Sequence, residues 1–177
     1  MTGRAAGTVV ITDCDHDTTE PERRTLAGHD VELRLADCTT PRDVVEQARG
    51  ADVLINQYVP ITAEVLDGLP GCRLVVRYGV GVDNVDVGAA TSRGVWVANV
   101  PDYGRDEVAD HAFALALALL RGVAFLDRSV RAGGWDYQVA RPLRRLGTLT
   151  FGVVGCGAIG SGVAGRAAAL GLRVVGF

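Results

Sequence analysis

The chain contains 177 residues, of which 48% are hydrophobic and 22% charged, and its formal net charge is −3. This composition is typical of a globular protein with a buried core, in one large domain or two small ones, and it offers no basic surface for nucleic acid. The apolar run 112–120 is far shorter than the ~20 residues that cross a bilayer, and no apolar signal core opens the chain, so we expect no membrane partner. Four cysteines without C-x-x-C spacing favour free thiols in a cytoplasmic protein over a metal site or disulfides.

Predicted strands and short helices alternate over residues 1–100. The strands are expected at 8–12, 31–35, 52–56, 73–77 and 95–99, and the helices at 19–28, 40–50, 62–69 and 86–94. Such alternation predicts βαβ units, and therefore a parallel sheet with helices on both faces. Apolar and charged residues alternate at 31–35, which is typical of a strand with one wetter face or at a sheet edge. These residues are thus predicted to form a small open α/β domain.

A break that contains Pro101 and Gly104 ends this domain. A long helix is expected next, and because its second half is apolar on all sides, we expect it to be buried on more than one side. Gly122 interrupts this helix, and a second helix is predicted at 123–131. An irregular arm around Trp135 then leads into the last segment of the chain.

The last segment carries a glycine pattern at the end of a predicted strand, 149–154. Gly155, Gly157 and Gly160 have the spacing G-x-G-x-x-G, and a helix and a second strand, 172–177, are predicted to follow. In such a unit the first glycine permits a tight turn, the second lets a pyrophosphate approach the backbone, and the third lets helix and strand pack closely. This order of elements predicts a dinucleotide diphosphate at the start of the helix. The alternative is a glycine-rich packed turn without a ligand.

The helix of this unit is expected to bury one face and to be followed by a ribose-binding acid. Its larger apolar residues recur at helical spacing, at Ile159, Val163, Ala167 and Leu170. The acid that binds the ribose is expected about 20 residues after the first glycine, and none occurs in the range 155–177. The choice between NAD and NADP therefore stays open.

Two loops at the carboxyl ends of predicted strands are candidate ligand sites, because open parallel sheets bind ligands there. The first loop is 57–60 and the second is 77–84. In the second loop, glycines at 79 and 81 leave successive backbone N–H groups free beside Arg77, which favours an anion cradle. A tight turn capped by Asp83 or Asp86 is an equal alternative, since turns use the same residue types.

Several motifs then occur in an order and spacing that resemble the D-isomer-specific 2-hydroxyacid dehydrogenases. They are the run RYGVGVDNVD at 77–86, the pairs Ala89-Ala90 and Arg93-Gly94, NVP at 99–101, EVADH at 107–111, Gly134-Trp135, and the glycines of 155–160. The segments 99–101 and 106–111 are most similar to the branch that includes the C-terminal-binding proteins. The resemblance extends from about residue 8 to the end of the chain.

The resemblance implies a flavodoxin-like parallel-sheet substrate domain at 1–100. The linker helices and the first βαβ unit of a truncated Rossmann dinucleotide-binding domain would follow at 101–177. In the substrate domain, the resemblance implies that the backbone at Val80 and Gly81 holds the substrate carboxylate. Arg77 and Tyr58 would line the same cleft.

For the nucleotide, the resemblance implies NAD or NADP bound at the glycine pattern. Ala158 and Ile159 would join Gly155, Gly157 and Gly160 in holding it. The segment 106–145, which contains the long apolar helix and the Trp135 arm, would form a homodimer.

The catalytic residues of the family are expected downstream of position 177, as is a returning helix that completes the substrate domain. None of the histidines His16, His29 and His111 is expected to replace the family's acid/base, since none has an evident positioned partner. We therefore expect the full-length form to transfer a hydride between nicotinamide and a small 2-keto or 2-hydroxy acid, and the 177-residue chain to be inactive. Alternatives are a dinucleotide-sensing or corepressor-like binding protein without turnover, and an inactive truncated product.

Overall fold

A computed structural model describes residues 6–177, which form two compact units that divide between Pro101 and Asp102. The first unit contains five strands and four helices: β1 (Gly7–Ile11), α1 (Glu20–Leu26), β2 (Val31–Leu35), α2 (Pro41–Gln47), β3 (Val53–Asn56), α3 (Ala63–Gly68), β4 (Leu74–Arg77), α4 (Val87–Ser92) and β5 (Trp96–Ala98). The second unit contains α5 (Arg105–Leu120), α6 (Val123–Arg131), two short 3₁₀ turns (Tyr137–Ala140 and Leu146–Thr148), β6 (Thr150–Val153), α7 (Ala158–Ala169) and β7 (Arg173–Gly176).

The five strands of the first unit form one parallel sheet in the order β2-β1-β3-β4-β5. This confirms the predicted α/β class and places β2 at a sheet edge, as its alternating pattern indicated. All five strands run the same way, so their carboxyl ends meet at one edge of the sheet. The loops after β1, β3 and β4 are therefore neighbours, although they are far apart in sequence.

Local capping explains where three of the four helices of this unit begin. Thr40 and Asp43 form a reciprocal capping box at α2, Thr62 caps α3, and Asp86 caps α4. At α1, Thr19 stands at the N-cap position but makes no side-chain cap hydrogen bond. The Thr18 hydroxyl instead accepts a hydrogen bond from the Glu20 N–H, at 3.1 Å.

The main core lies on one face of this sheet. Alternate residues of the inner strands, Val10, Leu54 and Val75, are fully buried there together with apolar residues of α2, α3 and α4. Because strand side chains alternate between faces, the other residues of the same strands point to the opposite side.

The opposite face of the sheet is covered much less completely. It carries α1 beside an open apolar groove of about 570 Å³, lined by the residues Val9, Pro21, Glu22, Thr25, Leu26, His29, Val31, Val53, Ile55, Leu74 and Val76. Helices do lie on both faces, as predicted, but unequally.

The second unit is built on two parallel strands, β6 and β7. Its main cluster of buried residues is Phe113, Ala167 and Leu172, and the Phe113 and Phe151 rings meet edge to face at 6.0 Å. The Arg166 guanidinium on α7 also bonds to the Asp106 and Asp110 carboxylates on α5. Contacts between α5 and α7 therefore add to the pairing of β6 with β7 in holding this unit together.

Within the single chain, burial in this unit falls short of two expectations. The second half of α5 is not buried on more than one side, because Leu115 is 55% exposed and Leu119 is 79% exposed. On α7, Val163 and Ala167 reach the core, but Ile159 and Leu170 at its two ends remain largely exposed. A two-stranded sheet is too narrow to cover the whole length of α7 or more than one side of α5.

Two further observations bear on the expectations from composition. Among the described residues, no single helix is both long and apolar enough to cross a membrane; α5 and α6 meet that test only as a pair bent by 63°.

All four cysteines are free: Cys38 and Cys72 are buried, whereas Cys14 is half-buried and Cys156 is exposed. Burial raises the pKa of the Cys38 thiol to about 11, so this thiol is protonated and unreactive at neutral pH.

We expect the amides of 150–153 and 173–176 to exchange with solvent faster than those of 53–56 and 74–77. A two-stranded sheet is marginal by itself, whereas β3 and β4 lie inside a five-stranded sheet. Native-state hydrogen exchange on the 177-residue chain measures both sets in one sample. Equal protection of the two sets, in a sample shown to be monomeric, would contradict this expectation.

Candidate functional site

The loop that follows β4 turns two backbone N–H groups away from the protein. The Asn99 side chain donates to the Val80 carbonyl at 2.7 Å, and the Val100 N–H donates to the Gly79 carbonyl at 3.2 Å. In a trans peptide the C=O and the following N–H point in opposite directions. The N–H groups of Val80 and Gly81 therefore point away from 99–100, and neither has an acceptor within residues 6–177.

Arg77, at the end of β4, lies directly beside these N–H groups. A Cβ atom built on Gly79 would overlap Nη1 of Arg77, so the guanidinium occupies the space that any side chain at position 79 would take. The Nε atom of Arg77 is buried without a hydrogen-bond partner, and no carboxylate in the described part of the chain forms an ion pair with this side chain. Arg77 is therefore a cation that is available to an anionic ligand.

A cavity of about 160 Å³ brings together the residues of the two loops. It is lined by Gln57, Tyr58, Arg77, Gly81, Asp83 and Asn84. Three of the four residues that the resemblance assigned to the substrate thus share one cavity. The fourth, Val80, is half-exposed and presents its N–H from the adjoining peptide.

The turn alternative and the cradle alternative describe different parts of the same loop. Asp86 caps α4 by accepting from the Ala89 N–H at 2.8 Å, so the loop does end in a capped turn. Asp83, the other proposed cap, makes no hydrogen bond with the described residues. The turn therefore leaves the N–H groups of Val80 and Gly81 free.

A buried polar network lies behind the cavity and was not predicted from the sequence. Asn56 is fully buried, and its amide nitrogen lies 2.8 Å from the Val59 carbonyl and 3.2 Å from Asp13 Oδ1. Its amide oxygen accepts from the Asn84 side chain at 2.8 Å. Asp13 also accepts from the backbone N–H groups of three successive residues, Gln57, Tyr58 and Val59. This network fixes the position of the 57–59 loop.

Asp15 holds the side chains of the same loop. Its carboxylate accepts from the Tyr58 hydroxyl at 2.8 Å and from the amide nitrogen of Gln57, while its own N–H donates to the Gln57 amide oxygen at 2.9 Å. The hydrogen bonds from Gln57 and Tyr58 lower the pKa of Asp15. The same bond from Tyr58 to the charged carboxylate raises the pKa of the Tyr58 phenol.

Asp13 and Asp15 are therefore site residues that sequence reasoning missed. A signal was available: the run Thr12-Asp13-Cys14-Asp15 stands at the carboxyl end of β1, which pairs with β3.

The histidine nearby, His16, has its Nδ1 atom 3.8 Å from Asp15 Oδ1 and packs edge-on against the Tyr78 ring. Within residues 6–177 no group of His, Cys, Asp and Glu is suited to hold a metal ion.

In the second unit, the glycine pattern forms a tight turn against which α7 packs closely. Gly155 has φ +90°, in the left-handed region, and its N–H donates to the Phe177 carbonyl at 2.8 Å. A Cβ atom on Gly160 would overlap the Gly155 carbonyl oxygen, so only glycine lets α7 approach the turn this closely.

The start of α7 is open. Space is free around Gly157, the N-cap residue, and no side chain caps the helix. The first N–H groups of the helix, at Ala158, Ile159 and Gly160, are therefore available to an anion.

We expect Gly160→Ala to destabilise the second unit by ~1–3 kcal/mol, because the added Cβ would collide with the Gly155 backbone, which cannot move cheaply. Gly165→Ala is the matched control in the same helix, where the site is open and alanine should add ~0.8–1 kcal/mol of stability. Urea unfolding of both variants measures the two effects. Equal stabilities of the two variants would show that Gly160 is not required for close packing.

Comparisons with known proteins agree with this geometry. A family model described as the catalytic domain of D-isomer specific 2-hydroxyacid dehydrogenases matches residues 9–168. A glyoxylate reductase of Korarchaeum cryptofilum is 42% identical over 138 residues, which are 75% of this chain and 41% of that protein. A D-3-phosphoglycerate dehydrogenase of Mycobacterium leprae is 41% identical over 151 residues, which are 85% of this chain and 28% of that protein.

The fold is similar to that of a solved D-lactate dehydrogenase from Aquifex aeolicus, complexed with NAD and lactic acid. The TM-score is 0.79 at 26% sequence identity, over 95% of this chain and 50% of that one. The chain thus spans less than half the length of these two curated relatives. Because the family model covers most of the chain, the chain belongs to the D-isomer-specific 2-hydroxyacid dehydrogenase family.

Proposed function

We propose that this chain supplies the substrate-binding unit and the start of the nucleotide-binding unit of an NAD(P)-dependent oxidoreductase. The enzyme would transfer a hydride between nicotinamide and a small 2-keto or 2-hydroxy acid. The names of the relatives support this reading, since they include a glyoxylate reductase and a lactate dehydrogenase. We propose a cytoplasmic location, and kinship within the family to the branch that includes the C-terminal-binding proteins.

The orientation of two peptide groups carries the proposal. The carbonyls of Gly79 and Val80 are held by residues 99–100, so the N–H groups of Val80 and Gly81 point to the other side. Arg77 adds a positive charge without an ion-pair partner among the described residues. A carboxylate is a ligand that suits two neighbouring N–H donors and a guanidinium. We propose that Tyr58 forms a wall of the same site.

The glycine pattern is proposed to hold the diphosphate of NAD or NADP. The free space at Gly157 and the uncapped start of α7 fit that group. Bound nicotinamide would supply the hydride chemistry. The role of this chain would then be to bind the diphosphate through the N–H groups of Ala158, Ile159 and Gly160.

We propose that the acid/base group of the reaction lies outside these 177 residues. His16 lies beside Asp15, but its ring contacts Tyr78 and Asp15, and it does not line the cavity. A positioned acid/base contributes ~10²–10⁴-fold to a rate. The chain by itself is therefore proposed to bind ligands without turnover.

A nucleotide-sensing or corepressor-like binding protein is the alternative, and an inactive truncated product is a third possibility. Steady-state assays of NADH oxidation with glyoxylate, pyruvate and hydroxypyruvate separate these functions in a complete protein that includes this chain. Turnover there supports the dehydrogenase, and nucleotide binding without turnover supports the sensor. Turnover by the 177-residue chain alone would overturn the placement of the acid/base.

We expect Gly79→Ala to raise the KM of the complete enzyme for the keto acid about tenfold to hundredfold. The added methyl would displace the Arg77 guanidinium from its place beside the cavity. Hydrogen bonds between such a group and a charged ligand are worth ~1.5–3 kcal/mol. The fold should persist, since the displaced group is the end of a flexible side chain. Gly81→Val should also raise KM or abolish activity by blocking its N–H.

The control for this experiment is Gly71→Ala, in the same unit, where the added Cβ makes an ordinary contact with the Ala51 carbonyl at 3.7 Å. Its kinetics should match those of the unaltered enzyme. An unchanged KM in both Gly79→Ala and Gly81→Val would remove this loop from the substrate site.

We also propose that the chain forms a homodimer through 106–145. This segment carries large exposed apolar side chains: Val108, Leu115, Leu119, Val123, Phe125, Val130, Trp135, Tyr137, Val139 and Leu143. Apolar surface of this kind in a single segment is typical of an interface.

Leu119→Glu is expected to weaken self-association at least tenfold, because it would bury a charge in the interface. Sedimentation equilibrium of the 177-residue chain measures the dimer constant directly. Leu35→Glu, at an exposed leucine in the other unit, is the control and should not change it. A chain that remains monomeric at all concentrations would contradict the dimer.

A further inference from the structure

The groups that line the 160 Å³ cavity divide into donors and acceptors. Arg77 and the Gly81 N–H are donors. Tyr58 donates its hydroxyl proton to Asp15, so towards a ligand its oxygen can only accept. The Asp83 carboxylate has no hydrogen-bond partner among residues 6–177, and its Oδ2 atom lies 3.2 Å from where a Cβ of Gly81 would stand.

Asp15 stands one hydrogen bond behind the cavity and bonds to two of its lining residues. Gln57 is 8% exposed, and both ends of its side-chain amide are engaged by Asp15, so this side chain has little freedom to turn. Tyr58 is 61% exposed, and its hydroxyl is held by the same carboxylate. The orientation and the polarity of this wall are therefore set by Asp15.

The balance of charge at the cavity limits what it can bind. Of its six lining residues Arg77 alone is basic, whereas Asp83 is acidic and Asp15 adds a second carboxylate behind the wall. One carboxylate of a ligand pairs with Arg77. A second negative group on the ligand would lie near the carboxylates of Asp83 and Asp15, and none of these residues offers a second cation to pair with it. Bringing like charges together in this way is strongly unfavourable. His16, near Asp15, would offset this only when protonated.

We infer that Asp15, acting through Tyr58 and Gln57, is a specificity-determining residue that restricts the site to 2-keto and 2-hydroxy acids with a single negative charge. Acids with a second carboxylate or a phosphate are rejected. This inference rests on the proposed function and narrows its substrate class. It also separates this chain from relatives that are named for a phosphorylated substrate.

The test is ligand binding to the 177-residue chain, followed by NMR through the backbone amide signals of Val80 and Gly81. The probes are D-lactate, with one negative charge, and D-malate, with two. D-Lactate is expected to bind at least tenfold more tightly than D-malate. Asp15→Asn is expected to reduce that ratio to about threefold or less, mainly by improving the binding of D-malate.

Two further variants separate the charge at Asp15 from other effects. Asp17→Asn makes the same change of charge two residues along, at a carboxylate that bonds to none of the lining residues, and should leave the ratio unchanged. Asp15→Glu keeps the charge and should restore most of the discrimination that Asp15→Asn loses.

Equal affinities in the unaltered chain, or a ratio that Asp15→Asn does not change, would overturn this inference and leave the carboxylate cradle intact. The same holds if Asp17→Asn lowers the ratio as much as Asp15→Asn does. If neither acid shifts the Val80 and Gly81 signals, the cradle itself is wrong, and the inference fails with it.

Discussion

The hydrogen bonds of the buried Asn56 side chain connect three loops at the carboxyl edge of the first sheet. Its amide contacts Asp13 after β1, the Val59 carbonyl after β3 and the Asn84 side chain after β4. A buried amide that loses a partner costs ~1–3 kcal/mol, so each loop is held where it satisfies this one side chain. The cavity of the proposed substrate site lies among these loops, and its shape depends on that network.

The two glycine-containing loops offer N–H groups to anions by different means. In the 77–84 loop the carbonyls of Gly79 and Val80 are tied to residues 99–100, which leaves the N–H groups free on the other side. In the 155–160 loop the N–H groups are free because they belong to the first turn of an uncapped helix. The first arrangement suits a carboxylate beside Arg77, and the second suits the diphosphate of a dinucleotide.

The two units differ in how well each is stabilised on its own. The first buries a continuous core beneath five strands, whereas the second has only a small cluster of three buried residues between α5, α7 and two strands. Apolar faces remain open in both, at the 570 Å³ groove of the first sheet and along the exposed side of α5. Exposed apolar surface of this extent favours further contacts with protein, which is why we propose a dimer through 106–145.

The sequence by itself determined the order of strands and helices, the glycine turn at 155–160 and the family. These depend on local signals: caps such as Thr40 and Asp86, the period of apolar residues, and the spacing of the glycines. Only the tertiary structure decided that Asp13 and Asp15 belong to the site, because more than 40 residues separate them from the loop that they hold. It also decided that Leu119 is exposed, since burial depends on what packs against a helix, and the periodicity of a helix does not specify its neighbours.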